Sequence, residues 1–217
     1  MPVSELVDLA PPGPGSRREE LLAIAVKLFA EQGVAKTTVR DIADAAGMLS
    51  GSLYHHFESK NQIVAEAIGK GLTLGVAANR ALIESSPDQA VAVVRLITDI
   101  VRWVGEEPDV VKILTNDKAY IRDNPDLRET EETRQVNRRT WIGLIQDGID
   151  AGVFRPLGNV DLVVRSIYDG LFGATRWMYG DLAPEEVARN FAELYLRGIL
   201  ADGYRFDFEN EELIPPD

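Results

Sequence analysis

Apolar residues recur every three to four positions along most of this chain, a spacing that places them on one face of an α-helix. No segment shows convincing alternation of apolar and polar residues of the kind that a half-buried strand requires. Glycine and proline interrupt the pattern and divide it into segments. The pattern therefore predicts an all-α fold with helices at about 17–32, 38–46, 50 onwards, 60–86, 88–105, 109–122, 127–151, 160–179 and 184–201.

The most informative segment is residues 37–60, where two short predicted helices are joined by a tight turn. Four apolar residues share one face of the first helix: Val39, Ile42, Ala43 and Ala46. Thr37 or Thr38 can cap this helix, and Gly47 can adopt the left-handed conformation that ends it. The second helix begins near Ser50. Two short helices joined by a glycine-containing turn form a helix-turn-helix, whose second helix enters the major groove of DNA.

The same segment resembles a known family. The run GMLSGSLYHHFESKNQI, preceded by TTVRDIADAAG, is similar to the signature of TetR-type repressors. The resemblance covers roughly residues 17–65 as a DNA-binding domain and implies a larger, all-helical domain after it, at 66–202, which binds an effector and dimerises. The alternative is a helical hairpin with no role in DNA binding.

Both ends of the chain are expected to be poorly ordered. Residues 1–16 are rich in proline and glycine and are predicted to form a disordered arm. Residues 203–217 form an acidic tail that is expected to be loosely ordered, although its aromatic residues could dock on a neighbouring element.

The net charge of −12 argues at first against a nucleic-acid partner, but its distribution changes that conclusion. Residues 17–60 carry six basic and six acidic side chains, whereas residues 61–217 carry 17 basic and 27 acidic ones. Only the predicted DNA-binding domain carries no net negative charge. Binding should therefore depend on oriented local contacts and weaken as salt increases.

Residues that the chain lacks disfavour other classes of function. Without cysteine there is no disulfide, zinc ribbon or thiol nucleophile. Without a signal peptide or a run of about eighteen apolar residues, we expect a cytoplasmic protein with no membrane contact. The adjacent His55 and His56 are the only histidines and point about 100° apart, so they cannot chelate one metal. An enzyme is thus the weaker hypothesis, and no cofactor is expected.

The helix-turn-helix offers candidates for each kind of DNA contact. Arg40 suits a bidentate base contact, although it could equally reach phosphate. Lys60 and Thr38, at the starts of their helices, suit phosphate. The resemblance places Tyr54 and His56 where TetR-type repressors contact the DNA backbone or base edges. The predicted contact residues are Thr38, Arg40, Ser50, Gly51, Ser52, Tyr54, His55, His56 and Lys60. The alternatives are a half-buried structural aromatic for Tyr54 and a solvated charge for Lys60.

The last two predicted helices carry more apolar surface than one packed face needs. Small residues, including Gly170 and Gly173, would let helices approach closely. These features fit a plain core or a four-helix interface between two chains, and the resemblance implies the second. A homodimer would place two DNA-binding domains, called its reading heads below, on the half-sites of a palindromic double-stranded operator.

A ligand site in the large domain is less distinct in the sequence. Aromatic residues at helical spacing are more often core than pocket, but here they could line a site. The predicted ligand-binding residues are Trp103, Arg138, Trp141, Tyr168, Phe172, Arg176 and Trp177. A basic cluster, Arg134 with Arg138 and Arg139, either pairs with nearby glutamates in solvent or binds an anionic group such as the phosphate of a coenzyme A ester.

A narrower resemblance bears on the ligand. LSGSLYHHF and NRRTWIGLIQDGIDAGVFRPLGNVDLVVRSIYDGLFGATRW are similar to segments of actinobacterial TetR-type repressors of steroid and fatty-acyl catabolism, whose effectors are CoA thioesters. Tyr168 and Phe172 stand where that subgroup is expected to carry a ligand-facing arginine and a tryptophan. The leading hypothesis is a repressor released by a small, mostly apolar effector such as an acyl-CoA. The alternative is a dimeric DNA-binding regulator with no effector.

Overall fold

The computed structural model describes residues 16–174 and 182–216, and most of these residues are helical, which confirms the predicted all-α class. The helices are α1 (Arg17–Gln32), α2 (Val39–Ala45), α3 (Ser50–Leu53), α4 (Lys60–Ser85), α5 (Gln89–Glu106), α6 (Pro108–Asn116), α7 (Lys118–Asp123), α8 (Arg128–Asp150), α9 (Val160–Gly173) and α10 (Pro184–Ile199). A 3-10 turn (Pro125–Leu127) precedes α8, and two short strands, β1 (Arg205–Asp207) and β2 (Glu212–Ile214), follow α10. No helix in these two ranges is long and apolar enough to cross a membrane.

The local sequence explains most of the helix ends. Thr38 and Ser59 cap α2 and α4, because each hydroxyl oxygen accepts a hydrogen bond from the backbone N–H three residues later. Gly47, with φ of 66°, forms the predicted left-handed turn between α2 and α3. The single helix predicted at 109–122 is wrong. Asp117 leaves helical geometry, with φ of −102° and ψ of 22°, and separates α6 from α7.

The helices enclose two hydrophobic cores. The smaller core is built by α1 to α4 around Phe29, Leu53 and Ile63. Distant residues of α6, α7 and the 3-10 turn complete it: Val110, Ile113, Leu114, Ile121 and Leu127. The larger core lies among α5, α8, α9 and α10. The N-terminal unit is thus packed directly against one segment of the large domain, so a movement of that segment acts on it without a flexible linker.

The acidic tail forms a hairpin, so the expectation of a loosely ordered segment is wrong over residues 203–216, whereas the expected docking of its aromatic residues is confirmed. Its two strands pair antiparallel, with Phe206 opposite Leu213. Both residues, together with Phe208, pack against the larger core. The side chain of Arg95 on α5 also donates a hydrogen bond of 3.2 Å to Glu211 in the turn. Burial of these apolar side chains compensates the entropy lost by ordering a short polar hairpin.

The segment that follows α8 runs beside the C-terminal end of α10 and closes the large core there. The Phe154 N–H donates to the carbonyl of Gly148 at 2.9 Å, and the Arg155 N–H donates to the carbonyl of Ile199 at 2.9 Å. The buried ring of Phe154 lies over Gly148, where a Cβ atom would overlap it. Glycine is therefore required here by close packing.

We expect Gly148→Ala to destabilise the protein by about 2–3 kcal/mol, because the added methyl must displace a fully buried ring. Such a loss lowers the melting temperature by roughly 5–10 °C for a chain of this size. Gly143→Ala on the same helix is the matched control, since a Cβ there would meet no atom of the described residues within 4 Å. It should be neutral or stabilising by up to about 1 kcal/mol. Equal melting temperatures of the two variants in differential scanning calorimetry would contradict this account.

Candidate nucleic-acid interface and effector region

The start of α2, the two ends of α3 and the start of α4 border a shallow groove on the N-terminal unit. The predicted DNA-contact residues on its rim are Thr38, Arg40, Ser50, Tyr54 and Lys60. Gly51 and His55 are also exposed, whereas Ser52 and His56 are half-buried. The fold therefore brings together residues that come from three different helices.

The start of α2 is held rigidly, and its arginine is free to move. The Asp41 N–H donates to the hydroxyl oxygen of Thr38 at 3.1 Å, and the Thr38 N–H donates to Oδ2 of Asp41 at 2.8 Å. This reciprocal cap holds the pKa of Asp41 below its usual value, first through the backbone hydrogen bond and then through the Thr38 hydroxyl. Arg40 is 81% exposed, and its Nε lies 3.5 Å from Oδ2 of Asp44. An ion pair this exposed is easily broken, so the guanidinium can reach a ligand.

The second helix of the motif is only four residues long, Ser50–Leu53, and continues as a turn. Leu53 and Phe57 are buried in the smaller core, while the ring of Tyr54 is 55% exposed beside the groove. Leu49 occupies the capping position, makes no side-chain cap and is 81% exposed. A polar residue is preferred at a capping position. The apolar Leu49 at this position is therefore a sequence signal that could have identified it as a candidate surface residue of the motif.

Arg18 holds the end of the helix-turn-helix in place, a role that the sequence reasoning missed. Its guanidinium donates to the backbone carbonyl of His56, forms an ion pair with Glu66 on α4 and lies 4.2 Å from the centre of the Phe57 ring. Among the described residues, no group of histidine and acidic side chains is arranged to hold a metal ion.

Lys60 faces inward. Its ammonium donates to the carbonyl oxygen of Val34 at 2.8 Å and to that of Thr37 at 3.1 Å, and it lies 5.3 Å from the centre of the Tyr120 ring. Burial lowers its pKa, and the negative charge of Asp117 opposes that shift. The side chain predicted to bind phosphate is therefore already bound to the protein, and we do not propose a phosphate contact for it.

Four of the predicted ligand-binding aromatics form a continuous chain of rings across α5, α8 and α9. Ring centres are 6.1 Å apart for Trp103 and Phe172, 5.6 Å for Phe172 and Tyr168, and 5.6 Å for Tyr168 and Trp141. The Tyr168 hydroxyl and the Trp141 indole nitrogen are buried without a hydrogen-bond partner among the described residues. Burial raises the pKa of Tyr168, so its hydroxyl stays protonated. The cluster thus contains two unused hydrogen-bond donors. The remaining predicted aromatic, Trp177, lies with Arg176 outside the described residues.

The three arginines of the basic cluster on α8 have different surroundings. Arg134 pairs with Glu131 at 2.6 Å, which is a partner of the kind that the pairing alternative predicts, but both side chains are half-buried and not in solvent. Arg138 donates to Gln135 at 2.6 Å and lies 3.4 Å from Asp161 at the start of α9. Arg139 is exposed and lines a separate surface groove with Arg122 and Arg128. Of these three arginines, Arg138 lies one helical turn from Trp141, and we propose it as the anion-binding residue next to the aromatic rings.

Helix α4 passes directly beside the aromatic cluster. A Cβ atom on Gly71 would lie 3.2 Å from the Trp103 ring, and one on Gly75 would lie 3.8 Å from the side chain of Asn137. The Asn79 amide donates to Asn137 at 2.6 Å, which fixes α4 against α8. Trp103 packs against both hydrophobic cores. The helix that starts at the candidate DNA-contact surface therefore passes beside the candidate ligand residues along its middle turns.

An all-helical chain with an N-terminal helix-turn-helix and a larger C-terminal helical domain is a DNA-binding regulator by its architecture. The model of the family "Bacterial regulatory proteins, tetR family" matches residues 21–67, and the model "Tetracyclin repressor-like, C-terminal domain" matches residues 87–199. The chain belongs to the TetR family of transcriptional repressors.

Relatives in this family are similar along most of their length. The transcriptional repressor KstR2 of Mycolicibacterium smegmatis is 35% identical, and the match covers 87% of this chain and 93% of the relative. The solved structure of the ketosteroid transcriptional regulator KstR2 of Mycobacterium tuberculosis has a TM-score of 0.78 at 35% identity, over 87% of this chain and 97% of that one. The regulator PfmR of Thermus thermophilus has a TM-score of 0.68 at 31% identity, over 82% and 97%. These relatives are transcriptional regulators, which confirms that the chain is not an enzyme.

Proposed function

We propose that this protein is a ligand-responsive repressor that binds a palindromic operator as a homodimer in the cytoplasm and is released by a small, mostly apolar effector. The observation that carries the proposal is the ring cluster from Trp103 to Trp141, with its two unused donors, against the glycine-bearing face of α4. DNA binding follows from the family, and the groove between α2, α3 and α4 is the surface proposed to perform it.

The dimer is proposed to form through α9 and α10. Leu162 on α9 is 65% exposed and Leu194 on α10 is 67% exposed, which leaves apolar surface on both helices. Gly173 has no atom of the described residues within 4 Å of its Cβ position, which leaves room for a second chain to approach. A twofold axis through this face would present two grooves to successive turns of the operator.

Effector binding is proposed to act through α4. An effector shifts the protein between two arrangements only if it binds one of them better. A ligand that separates Trp103 from Gly71 favours an arrangement in which α4 is displaced. Since α4 begins at Lys60, that displacement moves the reading head and disturbs both half-sites of the dimer together.

The effector is proposed to combine an apolar body with an anionic group, as in an acyl-CoA. The rings offer apolar surface, and Arg138 at the edge of the cluster offers a positive charge. One relative is a ketosteroid transcriptional regulator, so steroid-derived thioesters belong in the test. Tyr168 and Phe172 stand where the subgroup is expected to carry an arginine and a tryptophan. This difference favours a distinct ligand within the same class.

A titration of the operator complex tests this proposal. Acyl-CoA and steroid-CoA thioesters, the corresponding free acids and a neutral ketosteroid are added while fluorescence anisotropy follows DNA release. We expect thioesters to release the DNA and to raise the melting temperature of the free protein by linkage. Both effects should be lost in the variant Arg138→Ala plus Arg139→Ala, with DNA affinity unchanged.

The other results of the titration are equally informative. Release by free acids or neutral steroids, unaffected by the arginine substitutions, would keep the pocket and eliminate coenzyme A. The absence of both release and a thermal shift across the panel would contradict the effector and favour a dimeric regulator without one.

A further inference from the structure

The junction between α6 and α7 contacts the turn that leads into the helix-turn-helix. Asp117 lies at this junction, 83 residues from Val34, and its Oδ1 accepts a hydrogen bond of 3.0 Å from the Val34 N–H. On the same turn, the ammonium of Lys60 donates to the carbonyl oxygens of Val34 and Thr37 at 2.8 and 3.1 Å. Thr38, which caps α2, follows directly. The turn is therefore held by an anion from the large domain and by a cation from α4.

Asp117 and Lys60 also depend on each other electrostatically. Burial raises the pKa of Asp117, while the Val34 N–H and the Lys60 charge oppose that rise. The second carboxylate oxygen of Asp117, Oδ2, is buried and accepts no hydrogen bond from the described residues. A buried acceptor without a partner costs free energy. Attraction to the Lys60 charge opposes part of the cost of burying this carboxylate.

Neighbouring side chains enclose Lys60 on the side of α7. The Tyr120 ring lies 5.3 Å from its ammonium, and the Tyr120 hydroxyl donates to Asn61 at 2.7 Å. The Asn61 amide in turn donates to Asp126 at 2.7 Å. These bonds tie the first turn of α4 to α7 and to the 3-10 turn that follows it.

We propose that Asp117 is a positioning residue of the DNA interface. Together with Lys60 it fixes the turn at 34–37 and thereby the orientation of α2, which carries Thr38 and Arg40 into the groove. Lys60 acts on DNA through this turn and not as a phosphate ligand. The proposal rests on DNA binding alone and is independent of any effector.

A double-mutant cycle tests this coupling. An operator duplex is selected from a random library with the wild-type protein, and its affinity for Lys60→Met, Asp117→Ala and the double variant is measured by anisotropy at several KCl concentrations. Each single change is expected to weaken binding about tenfold, the effect of losing one or two net hydrogen bonds. The double variant should bind no more weakly than the weaker single variant, because either change already releases the turn. The slope of log Kd against log salt should not change, since no phosphate contact is lost.

Two further variants separate positioning from a general loss of structure. Lys118→Met removes a charge next to Asp117, but its ammonium pairs with Asp169 of α9 at 2.6 Å and not with the turn, so its operator affinity should change less than about twofold. Asp117→Asn keeps the shape and one acceptor for the Val34 N–H but loses the charge. It should fold like the wild type by circular dichroism and bind DNA with intermediate affinity.

Direct observation of the turn completes the test. In Asp117→Ala, the Val34 amide should exchange faster with deuterium in NMR spectra, while amides of the α8 core keep their protection. Losses that add in the double variant, unchanged affinity of the Asp117 variants, or a salt slope smaller by about one for each Lys60 removed would each overturn the proposal.

Discussion

We expect Leu194→Asp to convert the protein to monomers and to weaken operator binding by at least about a hundredfold. Leu194 lies on α10 with 67% of its surface exposed, within the apolar face proposed to meet a second chain. A carboxylate buried in such an interface has no partner and costs several kcal/mol. Because two linked reading heads gain roughly 10²–10⁴ in affinity over one, loss of the dimer removes that factor even though the DNA-contact residues are intact.

Light scattering and anisotropy on the same samples check this prediction. Leu74→Asp is the matched control, because Leu74 is 61% exposed but lies on α4, away from the proposed interface. It should remain dimeric and bind DNA as the wild type does. A wild-type protein that is monomeric at micromolar concentration, or a dimeric Leu194→Asp variant, would exclude the α9–α10 interface.

Features set by neighbouring residues could be predicted from the sequence. The cap at Thr38, one of the two threonines proposed for it, and the turn at Gly47 depend on interactions within three or four positions, and both lie where the pattern places them. The exposed face of the helix-turn-helix could be predicted for the same reason. Once Leu53 and Phe57 are assigned to the core, helical geometry determines which of their neighbours face solvent.

Features set by distant contacts could not be predicted. Lys60 follows the capping residue of a long helix, a position that suits a phosphate ligand. In the folded chain its ammonium instead donates hydrogen bonds to the carbonyl oxygens of Val34 and Thr37. The packing of residues 110–127 into the N-terminal core, and that of Phe206 on the larger one, depends on surfaces that exist only after folding. The sequence pattern of an amphipathic helix shows that a face is buried but not against which partner.

The same limit applies to the ligand region. Trp103, Trp141, Tyr168 and Phe172 were residues that could line one site among the central helices, and their rings form one cluster. The arginines of α8 were grouped because they are close in sequence, whereas consecutive helix positions point in different directions. Their partners therefore differ from one arginine to the next.

Replacing Arg40 by alanine is expected to weaken specific operator binding by about 30-fold or more and to relax the base preference at one position of each half-site. The exposed pair with Asp44, with 3.5 Å between Nε and Oδ2, contributes little to stability and is easily broken when DNA binds. A bidentate contact to guanine supplies roughly 1–3 kcal/mol of discrimination. A twofold dimer loses this contact twice, so the combined loss is about 2 kcal/mol at the lower limit, which corresponds to the 30-fold change.

Arg128→Ala is the matched control for this prediction. Arg128 is 84% exposed and lies 3.8 Å from Glu132, four residues further along its helix, so it copies both the exposure and the pairing of Arg40 away from the groove. Its removal should change affinity less than about twofold.

Selection of binding sites by Arg40→Ala then distinguishes the two possible roles of Arg40, base reading and phosphate contact. Lost preference at one symmetric pair of positions, with an unchanged profile elsewhere, is the result expected for base reading. A uniform loss over all sequences, with a salt slope smaller by about one for each arginine removed, would show that Arg40 contacts phosphate instead. Base preference would then have to come from the serines of α3 and the exposed side chains beside them.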